Sequence, residues 1–393
     1  MSDHTRSLLL AFVAVALLCG LTTAIASADD PVTVDPAVAT AIEAVRTEPT
    51  REAVAGLIAI DEEIAGRDDD ASQKTQALTI QVLAQSEDEL ALDYVRGVFE
   101  AKTERRDEAA HALSLYCLKR PRNPQDWRYL VRSLPLIEGE QSRSVLRALA
   151  RFRIRATKAK WLRQVILVGL PLDVDGQSEA VALLSQWAGT SKNAEDAPLK
   201  TLADWQQWFA GKYPEQPAAA LTLDPQNARW KFAELRTRLA AEVETPERLQ
   251  HGKAVYEKAT CSKCHRKDGF GEQWAPDLSS LGWRLQKKEQ LEATLFPSHR
   301  LNEEYPTFTV ITKAGRVFNG MMLAAGGGEI RIVASDGKVT LLPQTEVEEA
   351  VESNRSSMPD GLLEPLSYEE LRDLFLYLDH LGPNADTTPR AGE

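Results

Sequence analysis

A chain of 393 residues with 43% apolar side chains carries enough material for more than one hydrophobic core, which excludes a disordered tail protein. Its 46 Lys and Arg against 58 Asp and Glu leave a net charge of −12, a sign that excludes sequence-independent binding to phosphate backbones, so nucleic acid is not an expected partner.

The first element reads as an export signal over residues 1–28. Arg6 precedes an apolar run from Leu8 to Leu21, and Ala26-Ser27-Ala28 forms a small-residue site, so cleavage is expected after Ala28. Gly20, Thr22 and Thr23 interrupt the run before it reaches the roughly 20 apolar residues of a spanning helix, and no stable transmembrane anchor is expected. A lipid-modified Cys19 would normally follow a small residue, and Leu18 stands there. The expected location is periplasmic or secreted. Removal of the signal leaves Cys117, Cys261 and Cys264, and an odd number in an oxidising compartment argues against a disulfide framework.

From about Pro36 to Ala241 apolar residues recur at three- and four-residue spacing, as in Ala53-Val54-Leu57-Ile58-Ile64 and Leu90-Leu92-Val95-Val98-Phe99. Boundary residues at 68–70, 121–124, 135–139, 171–176 and 214–217 divide the stretch into short helices, with almost no strand signal. Residues 29–244 are thus expected to form helical hairpins, and the run resembles a degenerate HEAT-type solenoid, with an irregular all-α domain as the alternative. Cys117 sits in an apolar helical run and reads as a buried small residue. Trp205, Trp208 and Phe209 share helical spacing and read as core, with a partner-docking face as the alternative.

A second domain is expected over 245–383, followed by a disordered tail over 384–393. Thr245-Pro246-Glu247-Arg248 reads as an N-cap with Pro at the first helical turn, and the predicted helix from Glu247 to about Ala259 runs into Cys261. Further on, 307–312, 316–322, 329–334 and 338–342 are β-branched segments separated by turn residues, a predicted four-strand meander inserted at about 305–343. The last predicted helix, 368–381, opens on a capping box from Ser367 and Glu370.

Cys261-Ser262-Lys263-Cys264-His265 has the c-type haem attachment spacing. Two thiols three residues apart reach the two haem vinyl groups, and the adjacent imidazole lies beneath the iron. One covalent haem c is therefore expected. A thioredoxin-like redox pair would want a βαβ setting, and a zinc site would want two further ligands where only His251 and His299 lie nearby in sequence. The sixth ligand must come from Met321, Met322, Met358, His251, His299, His111 or His380. Met358 is expected, because Ser356-Ser357-Met358-Pro359 is a loop just before the last helix, while Met321 and Met322 lie in a strand; His299 is the runner-up.

Residues from about His251 to Leu381 resemble the haem-binding domain of planctomycete and verrucomicrobial cytochromes. The resemblance covers about a third of the chain and rests on five stretches: the cysteine motif, Ala275-Pro276-Asp277-Leu278, the strands from Tyr305 to Gly320, Ser356-Ser357-Met358-Pro359, and Leu371 to Leu378. It implies a class I, all-α cytochrome c fold with an inserted antiparallel sheet, and a Pro276 carbonyl that holds the other ring nitrogen of His265. Ala275 departs from the glycine usual in that family.

The fold class expected overall is mainly α. The expected function is single-electron transfer to or from a periplasmic redox protein or dehydrogenase, not catalysis, since no propeller repeat or catalytic constellation is visible. Two alternatives keep the haem: a sensor or peroxidatic protein with an open sixth site, and an assembly subunit of a periplasmic dehydrogenase. Basic residues outnumber acidic ones between Lys253 and Lys288, and the reverse holds from Leu342 onward, so the haem rim is expected to steer an acidic partner.

Overall fold

The structure, a computed structural model, describes residues 34–65, 67, 70–101, 103–189, 199–222, 224–383 and 385. The expected export signal, and all of the expected tail except Ala385, lie outside them. The described chain is mainly helical with one antiparallel five-stranded sheet, and it divides into two compact units between Ala91 and Leu92. No helix among the described residues is long and apolar enough to cross a membrane.

In the first unit, α1 (Pro36–Thr47), α2 (Arg51–Ile64) and α3 (Asp70–Gln85) pack on one another. Asp35 and Thr50 cap the first two by accepting from the amides of Ala37 and Ala53, which satisfies donors that have no intrahelical acceptor. Val38, Ile42, Val45, Val54 and Leu57 form the buried stripe. The buried Asp61 carboxylate accepts from Thr79 Oγ1 at 2.5 Å, so α2 and α3 share a polar pin inside an apolar interface.

The second unit begins within α4 (Glu89–Ala101) and continues through six further helices: α5 (Arg106–Lys119), α6 (Pro124–Ser133), α7 (Gly139–Arg151), α8 (Ala159–Gly169), α9 (Val174–Ala188) and α10 (Leu202–Lys212). The boundary residues explain the breaks: Asn123 caps α6 with Pro124 in its first turn, and Asp173 caps α9. Gly176, expected in a loop, lies inside α9, because the Asp173 side chain starts that helix earlier. Helices α5 to α10 each pack on neighbours one or two along in sequence. Cys117 is fully buried, as are Trp205 and Phe209, while Trp208 is half-buried against Trp205 and Tyr213.

Beyond α11 (Phe232–Ala240) come α12 (Pro246–Lys258), the short α13 (Leu281–Arg284) and α14 (Lys287–Leu295), then the sheet, then α15 (Tyr368–Asp379). Thr245 caps α12 and the Ser367–Glu370 capping box opens α15. These two helices cross at Gly252, where a Cβ would overlap the Asp373 carbonyl oxygen; only glycine allows so close an approach. His251 Nδ1 meets Asp373 Oδ2 at 2.7 Å beside the crossing. The core around it holds Val255, Tyr256, Leu371, Leu374 and Leu378, and also Trp230, Leu235 and Leu239 from before Thr245.

The sheet contains β1 (Thr307–Thr312), β2 (Val317–Gly326), β3 (Glu329–Val333), β4 (Val339–Pro343) and β5 (Val347–Glu352), ordered β4-β3-β2-β1-β5. The predicted four-strand meander is thus one strand short. The Val347-Glu348-Glu349-Ala350-Val351-Glu352 segment returns to pair with β1, with Val310 opposite Ala350. Five of its six residues are exposed, so its sequence lacks the alternation that marks a half-buried strand. Its glutamates suit an edge, where like charges discourage pairing with another chain.

The helical and the cysteine-bearing parts of the second unit are bolted together. Arg106 is buried, with Nε donating to the Phe99 carbonyl at 3.0 Å and Nη1 and Nη2 donating to the Arg284 and Trp283 carbonyls at 2.6 and 3.0 Å. Thr103 Oγ1 donates to the Trp283 carbonyl as well, and Gln286 Nε2 returns a bond to the Thr103 carbonyl at 2.9 Å.

Candidate functional site

The cysteine motif follows directly on α12. Ala259 closes the helix, Thr260 turns with a left-handed φ of 64°, and Cys261–Lys263 form a single 3-10 turn. The turn is laced by backbone bonds: His265 and Cys264 donate to the Cys261 carbonyl, Glu272 donates to Ser262, and Trp274 and Ala275 both donate to Cys264. Gly271, at φ +98°, closes this loop; a Cβ there would overlap the His265 carbonyl oxygen. Tyr256 OH donates to that same carbonyl at 2.7 Å, tying the motif to the α12–α15 core.

The outcome is a loop closed by backbone bonds that carries three side chains able to bind a ligand, Cys261, Cys264 and His265. Cys261 and Cys264 are free thiols; burial pushes Cys261 up to about 12 and raises Cys264 as well, so both are neutral at physiological pH. His265 is lowered from its ordinary value, first by burial, and is a neutral imidazole. Its Nδ1 lies 2.8 Å from the Pro276 carbonyl oxygen. A carbonyl only accepts, so Nδ1 carries the proton and Nε2 keeps its lone pair. Nε2 has no partner among the described residues.

All three side chains line a cavity of about 680 Å³, within the ~300–1,000 Å³ range of cofactor sites. Met358 borders the same cavity, in a loop held by bonds from the Met358 amide to Ser356 Oγ and from the Ser356 amide to Ser298 Oγ, each 3.1 Å. Leu278, Leu281, Leu285, Phe296, Leu363, Leu374 and Leu378 supply apolar wall. The sheet reaches the cavity through Thr307, Met321 and Glu352, and Met321 belongs to one packed cluster with Ala275 and Cys264.

Of the seven candidate sixth ligands, the expected Met358, the runner-up His299 and Met321 border this cavity, whereas His111, His251, His380 and Met322 are not on its wall. His251 and His380 are directed at carboxylates, Asp373 and Glu244. His299 has both nitrogens engaged: Arg163 Nη2 donates to Nδ1 at 3.2 Å, which places the proton on Nε2, and Nε2 faces Glu292 Oε1 at 3.4 Å. It therefore has no lone pair to offer, and Met358 is the more available donor.

The residues fit a covalently held haem. Two free thiols border the cavity, a lone-pair imidazole held by a carbonyl offers a nitrogen donor, a thioether offers a soft second donor, and leucine and phenylalanine side chains make part of a wall that also carries charged residues. No group of three or more His, Cys, Asp or Glu side chains that could hold a metal ion occurs among the described residues, so Cys261 and Cys264 gain no further zinc-type ligands there.

The cavity also has a wall that the sequence reading did not foresee. Lys158, Lys160, Trp161, Arg163 and Gln216 line it from the helical part. Nothing in helical periodicity distinguishes them from ordinary surface residues, because the signal lies in which helix meets which loop. Neither protein-family models nor curated proteins give a match to this chain.

Proposed function

We propose that this chain is an exported monohaem c-type cytochrome that carries single electrons between periplasmic partners. The observation that carries the reading is the His265 tautomer: its proton is fixed on Nδ1 by Pro276 while Nε2 is left bare beside two free thiols. Haem, when bound, supplies an iron that alternates between ferric and ferrous states. The chain's own residues would anchor and orient it: Cys261 and Cys264 through thioether bonds, His265 and Met358 as axial ligands, and the leucine-lined wall by excluding water.

A class I cytochrome c fold with an inserted sheet is the reading we attach to 245–383. It is supported by the α12–α15 crossing beside the motif and by the position of the sheet between Pro276 and Met358 in sequence. Helices packing on near neighbours in sequence support a HEAT-like reading of the preceding part. Its role would be to present the haem domain to a redox protein or dehydrogenase, with the basic Lys253–Lys288 rim facing an acidic partner.

The test is covalent haem on the protein exported from cells competent in c-type maturation. Haem-dependent staining should survive a denaturing gel, and it should be lost when Cys261 and Cys264 are both changed to serine. A polypeptide that matures, folds and carries no haem would contradict the proposal.

A further inference from the structure

The helical wall of the cavity holds a buried cation that makes no ion-pair contact with a carboxylate among the described residues. Arg163, in α8, is 3% exposed. Its Nε donates to the Pro217 and Ala218 carbonyls at 3.0 and 3.1 Å, and its Nη2 donates to Ala218 and to His299 Nδ1 at 3.0 and 3.2 Å. Nη1 has no acceptor among the described residues, yet it is not one of the sealed, unpartnered buried atoms. Nη1 thus keeps some accessible surface, and the side chain that carries it borders the cavity.

The charge persists, because burial lowers the guanidinium only to about 10. No carboxylate forms an ion pair with it among the described residues; Glu292 acts on it through space but faces His299 Nε2 at 3.4 Å, and Arg300 adds a second positive charge nearby. Removing a cation from water is strongly unfavourable unless an anion joins it, and the planar guanidinium suits a carboxylate best. The three carbonyl and imidazole partners fix the fork and leave Nη1 as its unengaged end, on a residue that borders the same space as the thiols and His265.

We propose that Arg163 Nη1 binds a carboxylate of the haem, so that the helical part completes the cofactor site and does more than present it. This rests on the haem reading above. Haem carries two carboxylates remote from its vinyl groups, and a small free carboxylate or phosphate offers similar chemistry to the same N–H pair, so the test must separate these sources.

Two measurements on the full, haem-loaded chain do so. In crystals of the unaltered protein grown without phosphate or carboxylate buffers, a haem carboxylate oxygen should lie within about 3 Å of Nη1; water or a separate anion in that position overturns the proposal. By spectroelectrochemistry, Arg163→Gln should lower the midpoint potential, since loss of a positive charge favours the ferric form, and Arg163→Lys should return it toward the unaltered value. Equal potentials in all three overturn the proposal while leaving the cytochrome reading intact. Absence of haem from the unaltered chain defeats both together. The crystallographic arm needs no substitution and decides even if Arg163→Gln, which strands the Pro217 and Ala218 carbonyls, does not fold.

Discussion

The two histidines on the cavity wall are told apart by their partners. His265 gives its one proton to a carbonyl and keeps a lone pair, whereas His299 accepts from a cation on one side and faces a carboxylate on the other. His299 is pushed down to about 4, first by burial and then by Arg163 and Arg300. The unfolded chain therefore binds a proton in a window from about pH 6.5 down to about 4 where the folded chain does not, and this share of stability is lost as pH falls through that window. The loss is bounded at on the order of 3 kcal/mol. Urea unfolding between pH 4 and 7, compared with His299→Gln, should show a shallower pH dependence in the variant; parallel curves would contradict the assignment. Gly271 is the other decisive residue: Gly271→Ala meets both a left-handed φ and the His265 carbonyl, and should destabilise the protein by about 2 kcal/mol or more while reducing haem attachment.

At the scale of elements, what was legible in the sequence was what is local. The Thr245 cap, the Ser367–Glu370 box and the first four strands stand where turn chemistry and periodicity put them, because each depends on residues within a few positions. β5 was illegible because pairing with β1 creates it: its outward glutamates carry no alternation, and its partner lies some forty residues earlier. β2 likewise runs on to Gly326, sustained by pairing with β3 through a register shift at Ala324. The α12–α15 crossing was hidden for the same reason, since Gly252 looks like a weak point of a helix until Asp373 is set against it. Gly252→Ala should cost about 1–3 kcal/mol or more through overpacking, read as a lowered urea midpoint with unchanged slope. A gain in stability from the better helix former would show that the crossing is not this close.

At the scale of the whole second unit, Arg106 and Arg163 are the findings that no pattern in the helical stretch announced. Trp230, Leu235 and Leu239 enter the core around Tyr256, and Arg106 ties Phe99 to Trp283 and Arg284 at the end of α13. The helices and the cysteine motif thus stabilise one another across long sequence separations, which periodicity cannot report. Arg106→Leu strands several buried carbonyls, and at roughly 1–3 kcal/mol for each unmade bond it should cost about 3 kcal/mol or more. Hydrogen exchange should then rise around both 99–106 and 283–286; a rise confined to one segment would contradict the mutual support. If the basic rim guides encounter, electron transfer with an acidic redox protein should slow as salt rises from about 10 mM to about 300 mM, a range over which the screening length shrinks several-fold.

The central claim is that His265 and Met358 hold one covalent haem. Oxidised and reduced absorption spectra of the exported protein, with Met358→Ala alongside, test it most directly. The account predicts a low-spin c-type spectrum with the weak sulfur-to-ferric-iron band at the red end, lost in Met358→Ala while covalent haem remains. An unaltered protein that lacks this band and binds carbon monoxide readily would contradict it.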